Sequence, residues 1–213
     1  LIGSLKKADS VDIIVSFLME SGVKMLLQEL KKAMKRGAKV RILTGNYLGI
    51  TQPSALYLIK HELGELVDLR FYNEKNRSFH PKSYIFHYAD HSEIYIGSSN
   101  ISRSALTSGI EWNYRFSSHR DPENYEKFYR TFEDLFQNHS IVIDDKELKR
   151  YSKSWHRPAA SKDLDRYDNV EEEEDTKVRL LFEPRGAQIE ALCALENSRA
   201  EGASRGIVQA ATG

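Results

Sequence analysis

His80-Pro81-Lys82 puts an imidazole and an ammonium at the head of an apolar run, and Gly97-Ser98-Ser99-Asn100 follows it downstream. On an extended strand alternate side chains share a face, so His80 and Lys82 are expected to project together about 7 Å apart. Gly97 and Ser99 read as parts of a binding loop, with glycine allowing the backbone close to a ligand. Ser98 and Asn100 can donate hydrogen bonds, and the loop runs into a helix start whose free N–H groups favour an anion. This set suits a phosphate. Imidazole can attack phosphorus or move a proton near neutral pH. Lysine neutralises charge on the non-bridging oxygens.

The elements that must hold these groups are an α/β set. Val11–Leu18 reads as a buried strand, Glu20–Arg36 as an amphipathic helix stopped by Gly37, and Lys39–Leu43 as a second strand. Pro53 opens a helix that Gly64 ends, and Val67–Tyr72 is a third strand. Alternating strands and helices predict parallel pairing with right-handed crossovers. Then the pattern changes. His80–Tyr88 and Glu93–Ile96 read as a hairpin around Ala89-Asp90-His91-Ser92. A short helix at Ile101–Leu106, a strand at Glu111–Phe116 and an amphipathic helix at Asn124–Phe136 complete the set.

The motif resembles the phospholipase D superfamily signature: His-x-Lys, four residues, Asp, then Gly-Ser-x-Asn. His80 and Lys82 match the first pair, and Gly97, Ser98 and Asn100 the last part. Glu111 stands where the family commonly places a glutamate that hydrogen-bonds the catalytic histidine. Two departures matter: the aspartate position, five after Lys82, is His87, and the hairpin to Gly97 is longer than usual. In the family that aspartate is mainly structural. The resemblance implies a mixed sheet flanked by helices, an α-β-α sandwich. It also implies metal-independent phosphodiester cleavage through a phosphohistidine, with His80, Lys82, Ser98, Asn100 and Glu111 as catalytic residues. Such chemistry needs two histidines. One copy of the motif therefore implies a symmetric homodimer with one shared site, His80 of one chain as nucleophile and His80 of the other as acid/base.

The rest of the sequence bounds the partners. The formal net charge is +0, so nucleic-acid contact must come from a local patch. Lys31, Lys32, Lys35 and Arg36 on one helix, with Lys39 and Arg41, form such a candidate; Lys31 and Lys35 are the expected backbone contacts. Tyr72, Phe79 and Tyr84 read as core. His87 and His91 flank a polar turn without a carboxylate cluster, so no metal site is expected. The lone Cys193 fits a reducing compartment, and neither a secretory signal nor a run of roughly 18 apolar residues is visible. The expectation is a cytoplasmic protein with no membrane contact. The start at Leu1 and the stop at Gly213 suggest part of a longer chain.

Three regions follow from this pattern: 1–143 as the nuclease-like domain, 144–177 as a polar and acidic linker ending in the run Glu171–Asp175, and 178–213 as an incomplete further domain. Phe182–Gly213 resembles the opening of a superfamily 2 helicase, a RecA-like fold, of which only the first helix and strand are present. The resemblance implies that Gln188 reads adenine, and that ATP and Mg would serve the intact helicase only; the nuclease part needs no cofactor. It also points to DNA as the substrate and to a translocase-linked restriction or defence protein. Two other readings stay open. One is a lipid-directed phosphodiesterase or phosphatidyltransferase. The other is a non-catalytic module for dimerisation or DNA docking, which His87 in place of aspartate supports best.

Overall fold

The structure is a computed structural model, and it describes residues 1–46, 49–74, 77–156, 158 and a few positions between 191 and 202. The expectations for the acidic run, Gln188 and the strand at 206–210 lie outside the described residues, as does most of the helix expected at 185–199.

Seven strands form one mixed sheet in the order β6-β5-β4-β1-β2-β3-β7. The strands are β1 (Ser10–Val15), β2 (Lys39–Thr44), β3 (Val67–Tyr72), β4 (Lys82–His87), β5 (Ser92–Gly97), β6 (Asn113–Ser117) and β7 (Ser140–Val142). As expected from the alternating pattern, β1, β2 and β3 are parallel. β4 turns back antiparallel beside β1, so that Lys82 faces Val15 across the pair. The hairpin β4–β5 and the edge strand β6 continue antiparallel. The helices are α1 (Ile2–Leu5), α2 (Glu20–Lys35), α3 (Pro53–Leu63), α4 (Arg103–Leu106), α5 (Pro122–Asn138) and α6 (Asp145–Ser154).

Period-two burial divides the strands between two apolar layers, giving an α-β-α sandwich. Ile13, Val15, Val40 and Ile42 meet Val23, Leu26, Leu27 and Leu30 of α2 and Leu56 and Ile59 of α3 on one face. Ile14, Leu43, Ile85, Ile94 and Phe116 meet Phe132 and Phe136 of α5 on the other.

Several boundaries differ from the sequence reading, among them the end of β1 at Val15 rather than Leu18. β4 begins at Lys82 rather than His80, because Pro81 has no N–H to give the ladder. β6 begins at Asn113, so Glu111 precedes the strand. The polar stretch expected to leave the domain at Asp144 starts instead with α6. Its Leu148 and Tyr151 are buried in the first layer, and Asp144 caps it by accepting from Glu147 N–H. The fold therefore runs to Ser154. α6 also grips the loop after β2: Tyr151 Oη–H is within bonding distance of Asn46 Oδ1 and of the Thr51 carbonyl, and Trp155 Nε1–H donates to the Gly49 carbonyl at 2.6 Å.

Candidate active site

Parallel strands end together at one edge of the sheet, and β4 starts there. His80 and Lys82 thus sit at the carboxyl end of β1 and β2, where loops are free to meet a ligand. His80 is exposed, whereas Lys82 is only 9% exposed. The Lys82 side chain curls back along the strand. Its Nζ lies 2.7 Å from His80 Nδ1 and donates to the His80 carbonyl at 3.1 Å. With an ammonium donating to Nδ1, the neutral ring carries its proton at Nε2; to act as a general acid it must take a second proton and become imidazolium. Partial desolvation, then the adjacent ammonium, lowers the His80 pKa below its ordinary value. Burial likewise lowers that of Lys82, and Glu111 partly offsets it.

The Gly97-Ser98-Ser99-Asn100 loop is stitched to the segment before β6. Ser98 N–H donates to the Trp112 carbonyl at 3.0 Å, Trp112 N–H returns to Ser98 Oγ at 3.0 Å, and Ser98 Oγ–H donates to Glu111 Oε2. Glu111, expected on a histidine, is here the acceptor for Ser98. Ser99 is buried, accepting from Asn113 Nδ2 through Oγ and from Tyr84 Oη–H through its carbonyl. Asn100 is buried too. Its Oδ1 accepts from Phe17 N–H at 3.3 Å, so only its Nδ2 could donate to a ligand.

Two expected roles change. Gly97 is not there for a ligand's approach: a Cβ would lie 2.0 Å from the Trp112 carbonyl oxygen and 2.3 Å from Asn113 Oδ1, so glycine lets β6 close against β5. Nor does the following helix offer a free N-terminus. α4 has four residues, Ser102 Oγ accepts from Ala105 N–H, and Ser21 Oγ accepts from Arg103 N–H. An anion here would be met by side chains rather than by a helix end.

Lys31 and Lys35 are not brought to the site. α2 starts beside it, where Met19 N–H donates to the Ile101 carbonyl. Lys31 and Lys35 lie roughly 16 and 22 Å further along the axis. Lys31 is paired with Glu62, and Lys32 with Glu29 at 2.6 Å.

One cluster was missed by sequence reasoning. Asp12 is buried at the opposite end of β1. Arg41 binds both its oxygens, at 2.6 and 2.7 Å, and also reaches Glu133 at 2.6 Å. His87 Nε2 lies 2.8 Å from Asp12 Oδ2, and its Nδ1 lies 2.9 Å from Ser92 Oγ. Burial opposes the charge on Asp12, but the bonds from His87 and Arg41 outweigh it and hold the carboxyl below its ordinary pKa. Where the motif expects an aspartate, the chain has the base, and β1 supplies the acid. His91 bonds Asp90 at 2.7 Å. Among the described residues no three His, Cys, Asp or Glu side chains gather as metal ligands.

With this geometry in place the relatives can be named. Residues 1–139 match the family described as cardiolipin synthase, PLD-like domain. A sequence comparison with curated proteins finds no match. Among solved structures, NucT from Helicobacter pylori is similar at TM-score 0.50 and 18% identity, covering 67% of this chain and 87% of that one. Polyphosphate kinase from Porphyromonas gingivalis gives 0.51 and 13%, covering 82% and 26%. Phosphatidylserine synthase from Haemophilus influenzae gives 0.50 and 14%, covering 77% and 40%. At these identities the likeness is one of fold.

Proposed function

This chain belongs to the phospholipase D-like family, and from that premise we propose that it hydrolyses phosphodiester bonds in DNA through a phosphohistidine, in a homodimer with one shared site. The observation that carries the reading is the exposed His80 imidazole held beside the buried Lys82 ammonium, with Ser98 and Glu111 joined next to them. His80 Nε2 of one protomer attacks phosphorus, and the P–O bond to the leaving oxygen breaks. That oxygen takes the Nε2 proton of the partner protomer's His80, which enters the step as imidazolium and leaves it as neutral imidazole. Water then attacks the phosphohistidine while the second imidazole recovers a proton, which frees the first. Lys82 neutralises the phosphoryl oxygens throughout. The attacking ring must carry its proton on Nδ1, so Lys82 gives up its contact with that nitrogen as it turns to the phosphoryl oxygens. DNA is favoured over other diesters by the likeness of 182–213 to a helicase opening.

A second reading has its own support. The matching family is described by a lipid synthase, and phosphatidylserine synthase shares the fold. Among the described residues no helix is long and apolar enough to cross a membrane. One assay separates the readings: the chain and its His80→Ala variant are incubated in EDTA with labelled plasmid, single-stranded oligonucleotide and phosphatidylcholine vesicles. Cleavage of DNA that the variant loses is the expected result. Head-group release selects the lipid reading. Cleavage that survives in the variant, or no turnover of any substrate, removes the proposed chemistry.

A further inference from the structure

Of the eight large apolar side chains exposed among the described residues, four belong to one surface: Ile110, Trp112 and Tyr114 at the entry of β6, and Phe128 on α5. Three of the four are rings, with Trp112 83% and Tyr114 69% exposed. Tyr114, Phe116 and Phe128 form a continuous ladder with centroids 5.9 and 5.8 Å apart. The strip starts beside the candidate site, because the Trp112 backbone is hydrogen-bonded to Ser98 in both directions. An exposed apolar surface of this kind marks an interaction site. The charges around it are committed elsewhere. Lys127 pairs with Glu123 at 2.7 Å and Arg130 with Glu126 at 2.5 Å, and Arg115 lies over the Tyr95 ring.

We propose that Trp112 and Tyr114 stack on unpaired bases of a single DNA strand next to the scissile phosphate, and so select single-stranded over double-stranded DNA; the inference rests on the phosphodiesterase reading of the site. A strand whose phosphate lies against His80 and Lys82 carries its neighbouring bases past the segment bonded to Ser98. In a duplex both faces of each base are covered by its neighbours, whereas an unpaired strand offers a π-face at every position. Exposed rings therefore sort the two. Charge is a poor alternative source of affinity. The net charge is +0, Lys31 and Lys35 are remote from the site, and the cations near the strip already have partners. Little counterion release is then available, and each stacked base supplies about 10-fold in affinity instead. A lipid surface fits less well. It would have to desolvate the two ion pairs on α5, whereas interfacial segments favour a cationic rim, and here the signs alternate.

The test is fluorescence anisotropy on the whole chain carrying His80→Ala, so that strands survive, with and without Trp112→Ala/Tyr114→Ala. The probes are a fluorescein-labelled oligothymidine, its duplex with oligoadenine, and an abasic strand of the same length. Circular dichroism and melting serve as fold controls. Oligothymidine is expected to bind at least 10-fold more tightly than either the duplex or the abasic strand, and the double substitution is expected to remove that preference. Tryptophan fluorescence should be quenched by oligothymidine only while Trp112 is present. Equal affinity for the three probes, or a preference that survives the substitutions, overturns the proposal. So does a variant that binds oligothymidine normally but loses binding to phosphatidylcholine vesicles or loses self-association in sedimentation, which would assign the strip to lipid or to a second copy. If the binding results come out as expected and the chain with His80 intact cleaves no diester, the strip stands and the phosphodiesterase reading falls. If cleavage depends on His80 but is indifferent to Trp112 and Tyr114 on every strand, the site stands and the strip falls. Should the double variant misfold, Trp112→Leu alone replaces it, and an unshifted oligothymidine dissociation constant then sinks the idea.

Discussion

Strand β4 lies between two histidines, His80 two residues before its start and His87 at its end, and the two are placed on opposite principles. His87 is wired on both nitrogens, to Asp12 and to Ser92, inside a network where Arg41 answers Asp12 and Glu133. Every charge there has met its opposite. About 20 Å away along the strand, His80 stands exposed with a cation rather than an anion against its ring. An imidazole beside an ammonium is held by a hydrogen bond but has no opposite charge to balance the cation. Its arrangement makes sense when a third party, an anion, is to arrive. An anionic partner marks the end that holds the fold, and a cationic one marks the end proposed to meet substrate.

The comparison can be broken most severely at His80. His80→Ala is expected to lower diester hydrolysis by about 10,000-fold and to leave the melting temperature unmoved, as read from cleavage rates and thermal unfolding. A large drop in stability with activity retained would reverse the roles of the two ends. Asp12→Ala is the converse case. It leaves His87 without its anion and Arg41 with Glu133 alone, and a loss of about 3 kcal/mol in urea unfolding is expected. Because the Asp12 carboxyl is held below its ordinary pKa, its contribution is present above the usual aspartate range. It is lost as pH falls through the depressed value. Acid unfolding curves of the wild type and the variant should therefore converge only at low pH.

Smaller effects sharpen the contrast. The His80 pKa lies below its ordinary value through desolvation and Lys82. An NMR titration should place its midpoint under about 6.5, and Lys82→Met should move it up; a midpoint above the ordinary value would contradict the site as described. The neutral, attacking form then persists to lower pH, so the acid limb of the rate profile also shifts down. The smallest effect is expected at Lys31. Lys31→Ala removes a surface pair with Glu62, costs under about 1 kcal/mol, and leaves DNA cleavage unchanged because the residue is remote from the site. A marked loss of DNA affinity would restore it as a substrate contact.

What the sequence shows plainly is whatever local chemistry decides. Gly37, Pro53 and Gly64 punctuate the first half, and α2, α3, β2 and β3 fall within a residue of expectation, while β1 ends three residues early. The site motif is equally legible, since His80-Pro81-Lys82 and Gly97-Ser98-Ser99-Asn100 are short and contiguous. What is not legible depends on partners distant in sequence. α6 has two buried apolar residues, Leu148 and Tyr151, in a polar stretch, and only the groove it fills reveals it as part of the core. Asp12 and His87 lie 75 positions apart and find each other through the β1–β4 pairing. Gly97 looked like a ligand loop because its true neighbour, the Trp112 carbonyl, belongs to another strand. Trp112 and Ile110 fall among residues that a strand would bury, yet they face outward.

The grip of α6 on the loop after β2 has a mechanical meaning. Tyr151 and Trp155 hold Asn46, Gly49 and Thr51; Gln52 N–H in turn donates to the Leu18 carbonyl, and the Gln52 side chain accepts from Glu20 N–H. Leu18 adjoins Phe17, which is bonded to Asn100. A displacement of α6 is thus delivered first to that loop and then, through Gln52 and the Leu18–Phe17 backbone, to the Asn100 carboxamide. The candidate site and α6 are joined by this linkage, so a force at one is registered at the other.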